Sequence, residues 1–362
     1  MSRILDLAFR LGWDAGSLPD PKVAPSPLHR ALALLACISL FIGTRTAWTG
    51  ALDASPTVLA VLSVCYLGIL LTAVASLIVR SSRALALVDV LILAIGSALV
   101  VGALIADHRP NDEGVLVAQA ARSMLAGHGV YGVAWPEVFA QQHIPITWMM
   151  GGGADYTFGY PPLDVLLTAP VLAFVGFPAV ASVVTTGMIL IGAVVLWRLL
   201  PIDWRSGATA VMLGFPFMPH YARLGYPALV AMVFLIPVVV RWPSIGAGGR
   251  LRRSDMLRAV CLGAACATQQ LAWFAAPFLI VGLYALRRGE VSPRRALTTV
   301  ASFAGIAAAT FLVINLPFIV TAGPAWASGV LLVLTQHAIP HGQGLIDVSF
   351  YLTDGSAELD FY

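Results

Sequence analysis

The chain has 362 residues, of which 59% are hydrophobic and only 11% charged, and its mean hydropathy is +0.87. Soluble globular chains carry about a quarter charged residues, and a body this apolar lacks the polar surface to cover itself, so a water-soluble fold is excluded. The net charge of +3 comes almost wholly from arginine, Lys22 being the single lysine, and no Lys/Arg run marks a nucleic-acid surface.

The composition predicts an all-α polytopic membrane protein. Residues 1–30 mix Arg3, Asp6, Arg10, Asp14, Asp20 and Lys22 with prolines and hold no apolar core before a cleavage site. They read as a cytoplasmic lead-in, with one amphipathic turn around 4–13 on the membrane surface. A spanning helix needs about 20 apolar residues. The candidates are 31–49, 57–79, 84–106, 179–197, 225–241, 270–286 and 297–321, with shorter pieces at 161–177, 206–219 and 257–268.

Arginine and lysine gather on cytoplasmic loops. Arg80 and Arg83, the group Arg241, Arg250, Arg252, Arg253 and Arg258, and the group Arg287, Arg288, Arg294 and Arg295 all fall inside if 206–219 and 257–268 cross and 161–177 does not. The expectation is therefore about nine spans, with 161–177 re-entrant or interfacial. Residues 31–362 then form a single transmembrane domain of the plasma membrane, with outer loops 107–160 and 322–362, the second holding an interfacial apolar helix at 325–335. Cys37, Cys65, Cys261 and Cys266 lie inside apolar stretches and predict neither a disulfide nor a zinc site.

In this topology six of the seven histidines lie outside: His108, His128, His143, His220, His337 and His341. Asp107, Asp112, Glu113, Glu137, Asp155 and the tail acids Asp347, Asp354, Glu358 and Asp360 join them, while the spans read as nearly free of ionisable groups. A transporter would carry such groups mid-helix; here they gather above one face of the bilayer. Asn111 with Asp112 and Glu113 reads as a capped helix start, where carboxylates favour the positive end of the dipole, and equally as an acidic cluster at a membrane exit. That helix should end near Gly127 and Gly129. Trp135, Trp148, Tyr156, Phe158 and Tyr160 read as an interfacial belt or as platforms for sugar rings. Pro161-Pro162 reads as the start of the following apolar helix.

An Asp after a span, a helix of small residues, Leu125-Ala126-Gly127 and Tyr131, then Tyr156-Thr157-Phe158-Gly159-Tyr160-Pro161-Pro162-Leu163, resembles the GT-C membrane glycosyltransferases. It is most similar to glycosyltransferase family 87, which includes polyprenyl-phosphate-mannose-dependent mannosyltransferases. Gly159 stands where that family usually has Thr. Ala267-Thr268-Gln269-Gln270 is similar to a family Ala-Thr-Lys-Gln stretch, departing at Gln269. The main likeness covers roughly 107–175 and continues more weakly to about 345; the family continues with further spans beyond the position of Tyr362.

The resemblance implies transfer of a sugar, mannose favoured over arabinose, from a polyprenyl-phosphate donor to a glycolipid or polysaccharide acceptor on the extracytoplasmic face. It implies Asp112 as general base, which suits the chemistry because an attacking hydroxyl must lose its proton. Arg223, His220, His337 and His341 are candidates to stabilise the departing lipid phosphate, and Glu113, Tyr160, Gln269 and Gln270 to contact substrate. Each has a plainer reading: a snorkelling cation for Arg223, surface positions for the histidines, helix–helix hydrogen bonds for the glutamines. Asp112-Glu113 with a histidine could hold a divalent ion, but no ligand spacing demands one, and no cofactor is implied. The alternatives are a transporter or flippase of lipid-linked sugar, or an inactive GT-C-like assembly partner. Membrane lipid is the expected environment, and the sequence does not indicate an oligomeric state.

Overall fold

A computed structural model describes residues 23–144, 147–148 and 154–332, leaving aside the side chains of 52–54 and 147–148. The lead-in, the Trp148 side chain, His337, His341 and the tail acids lie outside the described residues. The described chain is almost entirely helical. Its first helices are α1 (Pro27–Gly43), α2 (Arg45–Ala54), α3 (Pro56–Ile78) and α4 (Ser82–Ala106). The outer segment holds α5 (Asp112–Leu125), α6 (Pro136–Gln142) and a two-residue antiparallel ladder of β1 (Thr147–Trp148) with β2 (Ala154–Asp155). There follow α7 (Leu163–Leu172), α8 (Val180–Leu199), α9 (Arg205–Thr209), α10 (Phe217–Leu224), α11 (Pro227–Val239), α12 (Arg253–Cys266), α13 (Leu271–Arg288) and α14 (Pro293–Val330).

Six helical segments are long and apolar enough to cross a membrane: Pro27–Ala51, Pro56–Ile78, Ser82–Ala106, Val180–Leu199, Leu271–Arg288 and Pro293–Val330. Helix α11 with the turns up to Gly249, bent by 51°, adds a seventh where that bent pair counts as one span. The other two expected spans are shorter helices. The stretch 206–219 is broken: α9 runs into a π-helical turn over Ala210–Gly214, Phe215 is extended, and α10 restarts after Pro216. A proline cannot supply the N–H that would continue the ladder. The stretch 257–268 is α12, of 14 residues.

Contacts sort the helix ends into two groups. At one end, the Arg30 guanidinium donates to the carbonyls of Ser76, Leu77 and Val79, and His29 lies 3.5 Å from Asp203. At the other, Gly43 meets the Gly214 carbonyl too closely for a Cβ, Gly214 lies as tightly against Ser39 and Leu40, Gly114 meets Leu224 and Gly225, and Leu163 N–H donates to Ala267 O. Helix α7 begins and its chain returns at this second end. At 10 residues it is too short to cross, in keeping with the re-entrant or interfacial expectation for 161–177.

The helix over Pro293–Val330 is two helices joined across a kink at Ala322 (φ −146°, ψ 39°), between Pro317 and Pro324, and the described part of the apolar stretch 325–335 belongs to the second of them. One sequence expectation is corrected: the helices are not free of buried ionisable groups. His29 Nε2 and Asp89 Oδ2 lie 2.7 Å apart with both side chains fully buried, and the Ser206 hydroxyl donates to the other Asp89 oxygen. An acid isolated in an apolar run was the available signal for this pair.

Candidate functional site

The site is assembled on the first turn of α5. Asn111 Oδ1 accepts the Gly114 N–H at 2.9 Å, the side-chain cap expected from sequence. The Asn111 N–H donates to Leu224 O at 2.9 Å, which ties this turn to the α10–α11 connection. The approach requires two glycines. A Cβ on Gly114 would lie 2.6 Å from Leu224 O, and Gly225 has φ +81°, a left-handed conformation open to glycine. Asp112 and Glu113 are thereby fixed where α5 begins.

Asp112 is half-buried at the mouth of this turn. Glu113 points inward beside the Tyr160 hydroxyl, and its Oε2 is buried with no hydrogen-bond partner among the described residues. Burial, then the neighbouring Asp112 and more weakly Asp164, push the Glu113 carboxyl up to about 8, against the Tyr160 hydroxyl, which favours the anion. Burial likewise holds the Tyr160 hydroxyl well above the ordinary phenol range, with Glu113 adding to it.

Tyr160 is held from several directions. Tyr131 Oη donates to Tyr160 O at 2.8 Å, and the rings of Tyr131 and Tyr160 flank Phe158 at 5.5 Å and 5.8 Å. Asp155 turns the loop by accepting both the N–H and the hydroxyl of Thr157. Gln270 Nε2 donates to Gly159 O at 2.7 Å and to Val330 O at 2.9 Å. Gln269 Oε1 accepts the Leu271 N–H at 2.7 Å, at the start of α13. Both glutamines therefore use their side chains on backbone groups. Gly159, where the resembled family has Thr, abuts Gly329 O: a Cβ there would stand 3.3 Å away.

Phe158, fully buried, and Trp135, nearly so, form neither belt nor sugar platform. They fill the core beneath α5, α7 and the start of α8, because this loop folds over apolar residues rather than along the membrane surface.

Arg223 lies 3.5 Å from Asp107, and burial lowers its pKa against that partner. His220 is lowered too, by burial and by Arg223. Both line a cavity of about 450 Å³ with Thr44 and Arg45. Burial and Glu113 raise the Tyr226 hydroxyl, and Leu224 O, next to Arg223, accepts the Asn111 N–H, so this basic cavity adjoins the acidic turn. Arg45 escaped the sequence reading; its signal was an arginine at the far end of a span from the basic loops. His108 and Arg109 face a separate cavity of about 820 Å³ with Phe174 and Phe177. His128 and His143 are exposed. Among the described residues no group of three or more His, Cys, Asp or Glu side chains could hold a metal ion.

A further residue unsuspected from sequence is Asp164, fully buried in the first turn of α7, with neither carboxyl oxygen hydrogen-bonded among the described residues. Burial raises it to about 7. An acid directly after Tyr-Pro-Pro, opening an apolar helix, was its signal.

An apolar groove of about 700 Å³ runs between α12, α13 and α14, lined by Cys266, Trp273, Pro277, Ile280, Phe311 and Trp326. Trp273 N–H donates to Gln270 O at 2.8 Å, which sets one end of the groove beside the Tyr160 loop.

No family model, curated protein or solved structure matches this chain. Fold and site together define a helical membrane protein with an acidic and aromatic cluster at one end of its helices.

Proposed function

We propose that the protein is a membrane glycosyltransferase, with nine transits of the bilayer and its site on the extracytoplasmic face. It moves a sugar, mannose favoured, from a polyprenyl-phosphate donor to a glycolipid or polysaccharide acceptor. The observation that carries the reading is the placement of buried Glu113 beside Tyr160, which joins the acidic turn to the Tyr-Pro-Pro segment. Asp112, at the mouth, takes the proton of the acceptor hydroxyl. As that oxygen bonds to the anomeric carbon, the bond from this carbon to phosphate oxygen breaks, and the electron pair leaves with the lipid phosphate. Arg223 and Arg45 are the cations, and His220 a neutral hydrogen-bond donor, that line the cavity such a phosphate would enter. The groove lined by Trp273 and Trp326 has the volume and apolar lining suited to a prenyl chain.

The test is transfer from radiolabelled polyprenyl-phosphate-mannose to lipid acceptors by purified protein in native lipid. Asp112→Asn should lose about 10²–10⁴-fold of the rate, the usual worth of a general base, with expression unchanged. Full activity in that variant, or no transfer of mannose or arabinose by the unaltered chain, overturns the reading.

A further inference from the structure

A transferase has to bring two substrates to one base, and the cavity lined by Arg223 accounts for one of them. A second cavity, of about 820 Å³, opens beside the same acidic turn, where Pro110 lines it two residues before Asp112. Asp107 links the two: it lies 3.5 Å from Arg223 of the first cavity and 3.8 Å from Arg109 of the second. The volume falls in the range of small-molecule sites, about 300–1,000 Å³.

The lining of this second cavity combines two kinds of group. His108 and Gln142, the last residue of α6, carry side chains able both to donate and to accept hydrogen bonds. Phe174 and Phe177 come from the turn between α7 and α8. Phe177 is braced by the Arg122 guanidinium, 4.3 Å from its ring centre. Phe174 is 90% exposed, the barest large apolar side chain among the described residues. An exposed aromatic rimmed by polar groups marks a binding surface rather than a packed core.

A sugar ring matches both kinds of group. Its C–H face stacks on aromatic surface, and its hydroxyls donate to and accept from an amide or an imidazole. A prenyl or acyl chain would leave His108 and Gln142 unused, and a phosphate would leave the two rings unused. The half-buried cation suited to a phosphate, Arg223, stands in the other cavity, whereas the Arg109 side chain is 94% exposed.

We propose that the second cavity binds the terminal sugar of a neutral glycan, stacked on Phe174 and Phe177 with its hydroxyls on Gln142 and His108. The site stands on the cavity and its lining; only the role of its occupant as the acceptor rests on the glycosyltransferase reading.

Saturation-transfer NMR on the purified full chain in lipid nanodiscs measures binding with no donor present, using mannotriose, arabinotriose and maltotriose as probes. At least one of the three should bind. Phe174→Ala should weaken that binding about 3- to 10-fold, the worth of one aromatic contact. Gln142→Ala should weaken it too, and Phe174→Trp should retain it. Because Phe174 is bare, its truncation leaves the packed core intact. Phe278→Ala, which strips a similarly exposed ring from α13, should leave binding unchanged. No binding of any trisaccharide, or equal losses in the Phe174 and Phe278 variants, overturns the proposal. Binding of glycerol phosphate that depends on Arg109, in place of any trisaccharide, also overturns it, because the cavity is then a headgroup site. In the transfer assay Phe174→Ala should raise KM for the acceptor by the same factor and leave KM for the donor unchanged. Trisaccharide binding without transfer would sink the transferase reading and leave this site standing; transfer without trisaccharide binding would do the reverse.

Discussion

Gln270 donates one amide hydrogen to Gly159 O at 2.7 Å and the other to Val330 O at 2.9 Å, so one side chain joins the loop before Tyr160, the start of α13 and the end of α14. Gln270→Leu keeps the bulk and removes both donors. A buried group left unpaired costs about 1–3 kcal/mol, so this variant should lose about 2–4 kcal/mol of stability. Thermal unfolding in detergent measures it, and an unchanged midpoint would show that the two bonds do not hold the loop.

The junction of α5 with the α10–α11 turn offers a contrast between two glycines. Gly114→Ala would place a Cβ 2.6 Å from Leu224 O, a backbone atom that cannot swing aside. It should cost about 1–3 kcal/mol and displace Asp112 from its position. Gly187, inside α8, has nothing within 4 Å of its virtual Cβ. Gly187→Ala should be neutral or stabilising by up to ~1 kcal/mol through helix propensity. Equal unfolding midpoints for the two variants would contradict the close approach.

Arg223 is held half-buried at the basic cavity beside Asp107. If it meets the donor phosphate, Arg223→Ala removes a charge-assisted hydrogen bond worth about 1.5–3 kcal/mol, and KM for a polyprenyl-phosphate sugar should rise about 10- to 100-fold. Arg45 lines the same cavity from an exposed position, so Arg45→Ala should have the smaller effect. A larger effect at Arg45 than at Arg223 would reverse the assignment.

Stability should fall as pH rises across neutrality. Glu113 is raised from 4.5 to about 8 and Asp164 from 3.8 to about 7, so over this window the folded chain holds protons that the unfolded chain releases. Their contribution is fully present below the unfolded values and is lost as pH climbs through about 7 and then about 8. Unfolding midpoints at about pH 5 and about pH 8.5 should differ, and the difference should shrink in Glu113→Gln. A midpoint that rises over this range would have the wrong sign.

Features set by near neighbours were legible in the sequence. Asn111 caps α5, and the helix stops before Gly127 at φ +75°, because caps and left-handed glycines act over three or four residues. The stretch 161–177 reads as re-entrant or interfacial from the placement of the arginines, and its helix, Leu163–Leu172, has 10 residues. The break within 206–219 was not legible because apolarity alone does not show where the hydrogen-bond ladder is interrupted ahead of Pro216. Phe158 and Trp135 were misread because an aromatic near a membrane surface and one beneath a folded loop have the same local sequence.

The sequence by itself determined that this is a helical membrane protein and that its acids and histidines crowd toward particular segments, since burial in lipid excludes charge wherever the chain lies. Only the tertiary structure decided which of those residues meet. Glu113 with Tyr160, Asp164 behind them, Gln270 tied to Gly159 and His29 against Asp89 each join positions far apart in the chain. Such pairings follow from how helices pack through glycine contacts and turns, and spacing along one strand of sequence does not encode them.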